Sequence, residues 1–289
     1  MTMKTISDVR PSPIAGQWYS GSPQALAQSV DGFLAAAQLP ELAGQVVGVV
    51  APHAGHIYSG PVAGYAFRAV QGKSYDVVAV VSPMHRYFSE PLLTSAHKAY
   101  GTPLGAIPID TQAVSDVDAA LKETLRSGLS AAAYDSEHSL EIELPFLQRA
   151  LLGDFKLLPI MVRSHDPDEL QALGEALAEV LASQPGLLVA SSDLSHFYTE
   201  QEAERLDNAM LDQIAAFSPE GVFETESKGK GYACGLGAVM AVLWAARELG
   251  ADQVKVLHHA TSGSVTGDYS SVVGYGAAVI LKSEPDEKL

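Results

Sequence analysis

The sequence predicts an α/β fold in which a largely parallel central sheet is flanked by helices. Three observations predict it: short apolar runs rich in valine, their alternation with helix-length segments, and polar residues placed just past the ends of the runs. Strands buried on both faces read as unbroken apolar runs. Alternation with helices is the pattern of a sheet covered on both sides, and open α/β sheets bind ligands beyond the carboxyl ends of their strands.

The elements follow in order. Residues 1–23 form a Pro- and Gly-punctuated arm that reads as a strap over the body, and an alanine-rich helix is expected over 24–38. The first strand is 46–51, a helix covers 59–70, and a second strand covers 75–81. Short strands are expected within 91–109 around a turn at 101–105, then a helix over 111–127. From Ser136, Leu140, Leu144, Leu147 and Leu151 fall on one helical face, with Pro145 expected to kink it. A strand at 155–162, a helix at 167–182, a strand at 187–191 and helices from Glu200 come next. The uncharged stretch 231–246 reads as a buried helix, too short and glycine-rich for a membrane span. Strands at 254–259 and 272–281 close the sheet, and the acidic tail 283–289 is expected to be disordered.

With 289 residues, 47% of them hydrophobic and 18% charged, there is ample material for a core. The absence of an internal repeat or linker favours one domain over 1–289. Eighteen basic against 34 acidic residues leave a formal charge of −16, a sign that repels nucleic acid and anionic membranes. A single cysteine excludes an internal disulfide framework, and the first ten residues lack the apolar centre of a signal peptide, so a cytoplasmic location is expected.

Chemistry concentrates past three strands. The first runs into Pro52-His53-Ala54-Gly55-His56, the second into Ser82-Pro83-Met84-His85, and the third into Ser191-Ser192-Asp193-Leu194-Ser195-His196. His53 and His85 are the leading metal-ligand candidates, because residues past what read as neighbouring strands, roughly 4.8 Å apart, can converge on one ion. Two histidines plus one anionic ligand, with open positions, is the pattern of non-haem iron sites. His196 is a candidate ligand or acid–base group. A histidine beside one strand is more often a hydrogen-bonded structural group; recurrence at three strand ends, amid Gly, Pro and Ser, shifts the balance toward a site. Cys234 stands where a Gly/Lys loop enters an apolar helix, a setting expected to lower its pKa, whereas a lone cysteine is more often packing. Asp193, three residues before His196, also permits an Asp193–His196–Cys234 relay with Cys234 as nucleophile, the chemistry of a metal-free hydrolase or transferase. A non-catalytic binding module is the third alternative.

At these residues the chain resembles the MEMO family, called AmmeMemoRadiSam system protein B in prokaryotes, which is similar in fold to LigB-type class III extradiol dioxygenases. The resemblance is carried by segments 13–19, 51–60, 82–85, 137–145, 192–196, Cys234-Gly235, 261–263 and 272–275. It implies a metal pocket formed by His53, His85 and Cys234 and lined by His196, Asp193, Glu137 and His138; His196 and Asp193 are the candidate catalytic residues, His56 is a further pocket candidate, and Arg86 stands where the family commonly has a second histidine. A cysteine where the dioxygenases carry glutamate turns preference toward softer ions. One transition-metal ion is therefore expected, iron(II) or copper ahead of zinc. The resemblance further implies a redox-associated protein that acts on or binds a small molecule or peptide, in a pathway shared with AMMECR1-like and radical-SAM proteins. Glu137 is read either as an ordinary helix cap or as a group that orients a ligand histidine, and His138 as a proton carrier.

Overall fold

The valine-rich runs become the inner strands of one large sheet because both of their faces are covered. In a computed structural model describing residues 7–284, the chain begins with β1 (Val9–Arg10), α1 (Pro23–Ala36), β2 (Gln45–Ala51), α2 (His56–Arg68) and β3 (Val77–Pro83). Three short strands follow, β4 (Leu92–Ser95), β5 (Ala99–Thr102) and β6 (Gly105–Pro108), then α3 (Thr111–Leu125) and β7 (Ser130–Ala132). A 3-10 turn at Glu141–Glu143 leads into α4 (Leu144–Ala150), β8 (Lys156–Val162), α5 (Pro167–Leu181) and β9 (Gly186–Ser191). The remainder is β10 (Asp193–Tyr198), α6 (Glu200–Ala215), α7 (Pro219–Ser227), α8 (Leu236–Glu248), β11 (Gln253–Thr261), α9 (Gly263–Thr266) and β12 (Val272–Lys282).

The inner strands send side chains into two cores. In β3, Val77, Ala79 and Val81 join the core under α3, α5, α6, α7 and α8, while Val78 and Val80 join the core under α1, α2 and α4. This two-sided burial is why the strands read as continuous apolar runs. The α/β class is as expected, with one refinement: the sheet is mixed. Its order is β10-β12-β2-β9-β3-β8-β4-β7, with β11 on β12. The inner strands β2, β9, β3 and β8 are parallel, whereas β12 runs antiparallel to β2, β10 and β11, and β4 antiparallel to β8.

Two expectations are corrected. β2 and β3 are not neighbours: β9 lies between them and pairs with both, so His53 and His85 reach toward each other across its end. Pro145 does not kink a helix; it stands in the first turn of α4, where its missing N–H and fixed φ are tolerated. Residues 193–198, left unassigned by the sequence, form β10, whose pairing with β12 is broken by two register shifts.

The arm does cross the body. β1 pairs in parallel with β5, extending the β5–β6 hairpin into a small second sheet, and the Trp18 carbonyl accepts from His56 N at the start of α2. Its residues 1–6 lie outside the described residues, as do residues 285–289 of the tail; the Ser283 N–H donates to Asp252 Oδ1 at 3.0 Å. Among the described residues no helix is long and apolar enough to cross a membrane.

Candidate metal centre

Three imidazoles meet over the carboxyl ends of β2, β9 and β3. His53 follows β2, His85 follows β3, and His138 comes from the irregular segment after β7. Their potential ligand nitrogens all lie within 4.8 Å of one another. The rings of His85 and His138 are stacked, 4.9 Å apart at 12°, and His53 stands edge-on to both at 5.4 and 5.5 Å.

Two of the rings are anchored through Nδ1, and the third approaches the same carboxylate. His53 Nδ1 meets Ser191 Oγ at 2.9 Å, His85 Nδ1 meets Glu137 Oε1 at 2.9 Å, and His138 Nδ1 lies 3.2 Å from that same oxygen. Fixing one ring nitrogen on an outer group while the other faces the centre is how proteins orient histidine ligands. Glu137 organises this side: its carboxylate also accepts from the backbone N–H of His85, His138 and Ser139. Burial pushes its pKa up, but the hydrogen bond and charge of His85, with the Ser139 N–H and the His138 charge, hold it well below the usual range. Glu137 is thus an ionised acceptor, and His85 Nδ1 must carry the proton between them.

The electrostatics favour the neutral form of His53 and His138. Burial, then the nearby charges of His138 and His85, hold His53 well below the ordinary histidine range. Burial lowers His138 to about 4, against the opposing charge of Glu137. Neutral imidazole is the form that binds a metal.

Cys234 joins the cluster at His53, with Sγ 3.0 Å from Nε2. Its backbone N–H donates to Asp193 O, and Sγ accepts from Asp193 N at 3.3 Å, which docks the thiol on the β9–β10 junction. Gly235 makes this approach feasible, since a Cβ there would lie 2.2 Å from Ser191 O. The expected lowering of the thiol pKa is not found: burial, then the charge of Asp193, push it well above its ordinary value. The helix begins only at Leu236, Lys228 and Lys230 are exposed, and Lys228 pairs with Glu224.

The Asp193–His196–Cys234 relay is not assembled. Asp193 Oδ1 accepts from His53 N and Ala54 N, capping the 52–55 loop, and burial raises its pKa to about 7. His196 Nδ1 bonds instead to Leu194 O, while its ring lines the cavity. That cavity, about 460 Å³, is walled by Trp18, His53, His85, Arg86, Glu137, His138, Asp193 and His196 among others. His56 does not line it. Its ring is buried against Tyr19 and Phe146, with Nε2 on Ile142 O, and burial lowers its pKa to about 4.

Sequence reasoning missed four contributors. Trp18 packs tilted against His138, ring centroids 4.0 Å apart at 36°, although its segment is among those carrying the family resemblance. Arg10 donates to Glu137 O and to the carboxylates of Asp135 and Glu141, bracing the segment that bears Glu137 and His138. Ser191 and Glu143 lie behind His53; both fall in segments singled out above, but no local signal shows that they meet there, because their contacts join residues distant in sequence.

An α/β sheet that gathers three imidazoles and a thiol past its strand ends defines a protein with a candidate metal centre. The family model described as Memo-like protein matches residues 10–279, and the chain belongs to that family. A MEMO1 family protein of Nitrosopumilus maritimus is 32% identical over 274 residues, 93% of this chain and 98% of the relative. Those of Methanopyrus kandleri and Methanococcoides burtonii are 31% and 33% identical, covering 94% and 95% of this chain and 99% and 100% of the relatives.

Proposed function

We propose that this chain is a metal-binding, redox-associated protein with a pocket like that of non-haem dioxygenases, open to a small molecule or a peptide. The observation that supports this best is the convergence of three imidazoles, two of them fixed through Nδ1, with a thiol at hydrogen-bond distance from His53. Imidazole and thiolate donors suit iron(II), copper and zinc, and the first two are favoured. His53 and His85 hold the ion, and Cys234 and His138 contend for the third position. A bound ion supplies Lewis-acid or redox chemistry there.

The protein's own groups have separate tasks. His196, held by Leu194 O through Nδ1, has its other nitrogen available to pass a proton to a ligand in the cavity. Asp193 holds the 52–55 loop so that His53 keeps its position. Trp18 offers a flat wall and Arg86 a positive charge. A reducing cytoplasm suits the lone thiol, and AMMECR1-like and radical-SAM proteins are the proposed pathway partners.

The test is elemental analysis of protein purified without chelators or a histidine tag. His53→Ala and His85→Ala are each expected to lose the ion while far-UV circular dichroism is unchanged. Whichever of Cys234→Ser and His138→Ala loses more metal identifies the third ligand. Full stoichiometry in both His53→Ala and His85→Ala overturns the proposal.

A further inference from the structure

Behind His53 lies a buried carboxyl that the proposed centre does not use. Glu143 is wholly inaccessible, its Oε2 has no partner, and among the described residues no cation pairs with it. Glu141, two residues earlier and equally buried, meets Arg10 at 2.6 Å. Oε1 of Glu143 lies 2.6 Å from Ser191 Oγ. That hydroxyl also lies 2.7 Å from Ser139 O and 2.9 Å from His53 Nδ1.

Counting protons decides the arrangement. A serine hydroxyl has one proton and two lone pairs, and a backbone carbonyl has none to give. Were Glu143 ionised, Ser191 would face two acceptors, Ser139 O and Oε1, with a single proton. One of two short contacts would then set lone pair against lone pair. With a proton on Glu143 every contact is satisfied: Glu143 donates to Ser191, Ser191 donates to Ser139 O, and His53 Nδ1–H donates to the remaining lone pair. No placement that leaves Glu143 ionised or His53 Nδ1 without its proton satisfies all three distances, and burial keeps the His53 ring neutral, with Nε2 bare. Burial, against the opposing hydrogen bond with Ser191 and with the Asp193 charge in support, independently raises the carboxyl well above its ordinary range.

We infer that Glu143 is a neutral carboxylic acid that donates its proton to Ser191 and thereby fixes His53 with Nδ1 protonated and the Nε2 lone pair facing the centre. Glu143 and Ser191 are positioning residues. Their consequence for metal affinity rests on the function proposed above, but the proton arrangement itself does not.

The experiment therefore begins with metal-free full-length protein at neutral pH. Infrared difference spectra of wild type against Glu143→Gln are expected to show a deuterium-sensitive carboxylic-acid C=O band that the variant lacks. Nitrogen-15 histidine spectra are expected to show His53 protonated on Nδ1 in wild type and in Glu143→Gln, whose amide donates in the acid's place. Ser191→Ala is expected to mix the tautomers. Iron(II) titration should then give Glu143→Gln an affinity near wild type and Ser191→Ala one about 10–100-fold weaker. Absence of the acid band, or a wild-type His53 protonated on Nε2, overturns the inference, and the wild-type spectrum decides the tautomer even where a variant does not fold. The expected band and tautomer with no iron bound uphold the inference and count against the metal reading alone.

Discussion

Glu137 spends one carboxylate on two imidazoles and three backbone N–H groups, so its oxygens have no freedom to turn. A group shared in this way orients His85 and His138 together. Glu137→Gln keeps the size but replaces one acceptor oxygen with a donor, and metal affinity is expected to fall about 10–100-fold, measured by competition with a chromogenic chelator. His56 shows the opposite economy, a histidine kept neutral for the core. Its folded pKa of about 4 lies below the ordinary value near 6.5, so the unfolded chain binds the proton first and stability falls as pH drops through that window. The full effect is about 3 kcal/mol, reached below pH 4. Asp193, raised to about 7, titrates with the opposite sign, losing stability as pH rises from about 4 to 7. The clean measurement is accordingly the difference between wild type and His56→Gln in urea unfolding from pH 8 to pH 4. The wild type is expected to lose its advantage as pH falls, and a constant difference would show that His56 does not titrate as described.

At the scale of elements, the arm acts as a brace. β1 is only two residues long, yet it delivers Arg10, 1% exposed, to Asp135, Glu141 and the Glu137 carbonyl. Removing one partner of a buried ion pair strands the others without compensation, at a cost of about 3–5 kcal/mol. Arg10→Ala is expected to lose that much in urea unfolding. It should also loosen His138, visible as broadened histidine resonances, while His53, tied to β9 through Ser191, stays sharp. The inner strands were legible because two-sided burial writes itself as unbroken valine runs, as in Val77–Pro83. β10 was not, since its register shifts erase the period of two. Glu137 was legible only as an even choice between cap and orienting group, because the same residue at the same position serves either.

For the whole molecule, the proposed ion binding would be linked to folding. A ligand that binds only the folded chain stabilises it by about 2.7 kcal/mol at a hundredfold excess over Kd. For a chain of this size that is an expected rise in Tm of about 4–5 °C, reversed by chelator and absent in His53→Ala when followed by scanning calorimetry. The positions of His53 and His85 were legible as strand ends, but their meeting was not, because β9 arrives from far along the chain to stand between β2 and β3. Cys234 shows the same limit: its loop suggested a lowered thiol pKa, whereas the fold buries it against the β9–β10 junction. The interleaved strand order also has a consequence for biosynthesis. The chain is made from the amino end, so β2 leaves the ribosome early but acquires its two sheet neighbours, β9 and β12, only after most of the sequence has been translated. Until then His53 has neither Ser191 behind it nor Cys234 before it. The nascent chain has no assembled cradle, and any ion this protein carries is loaded late, onto a nearly complete polypeptide.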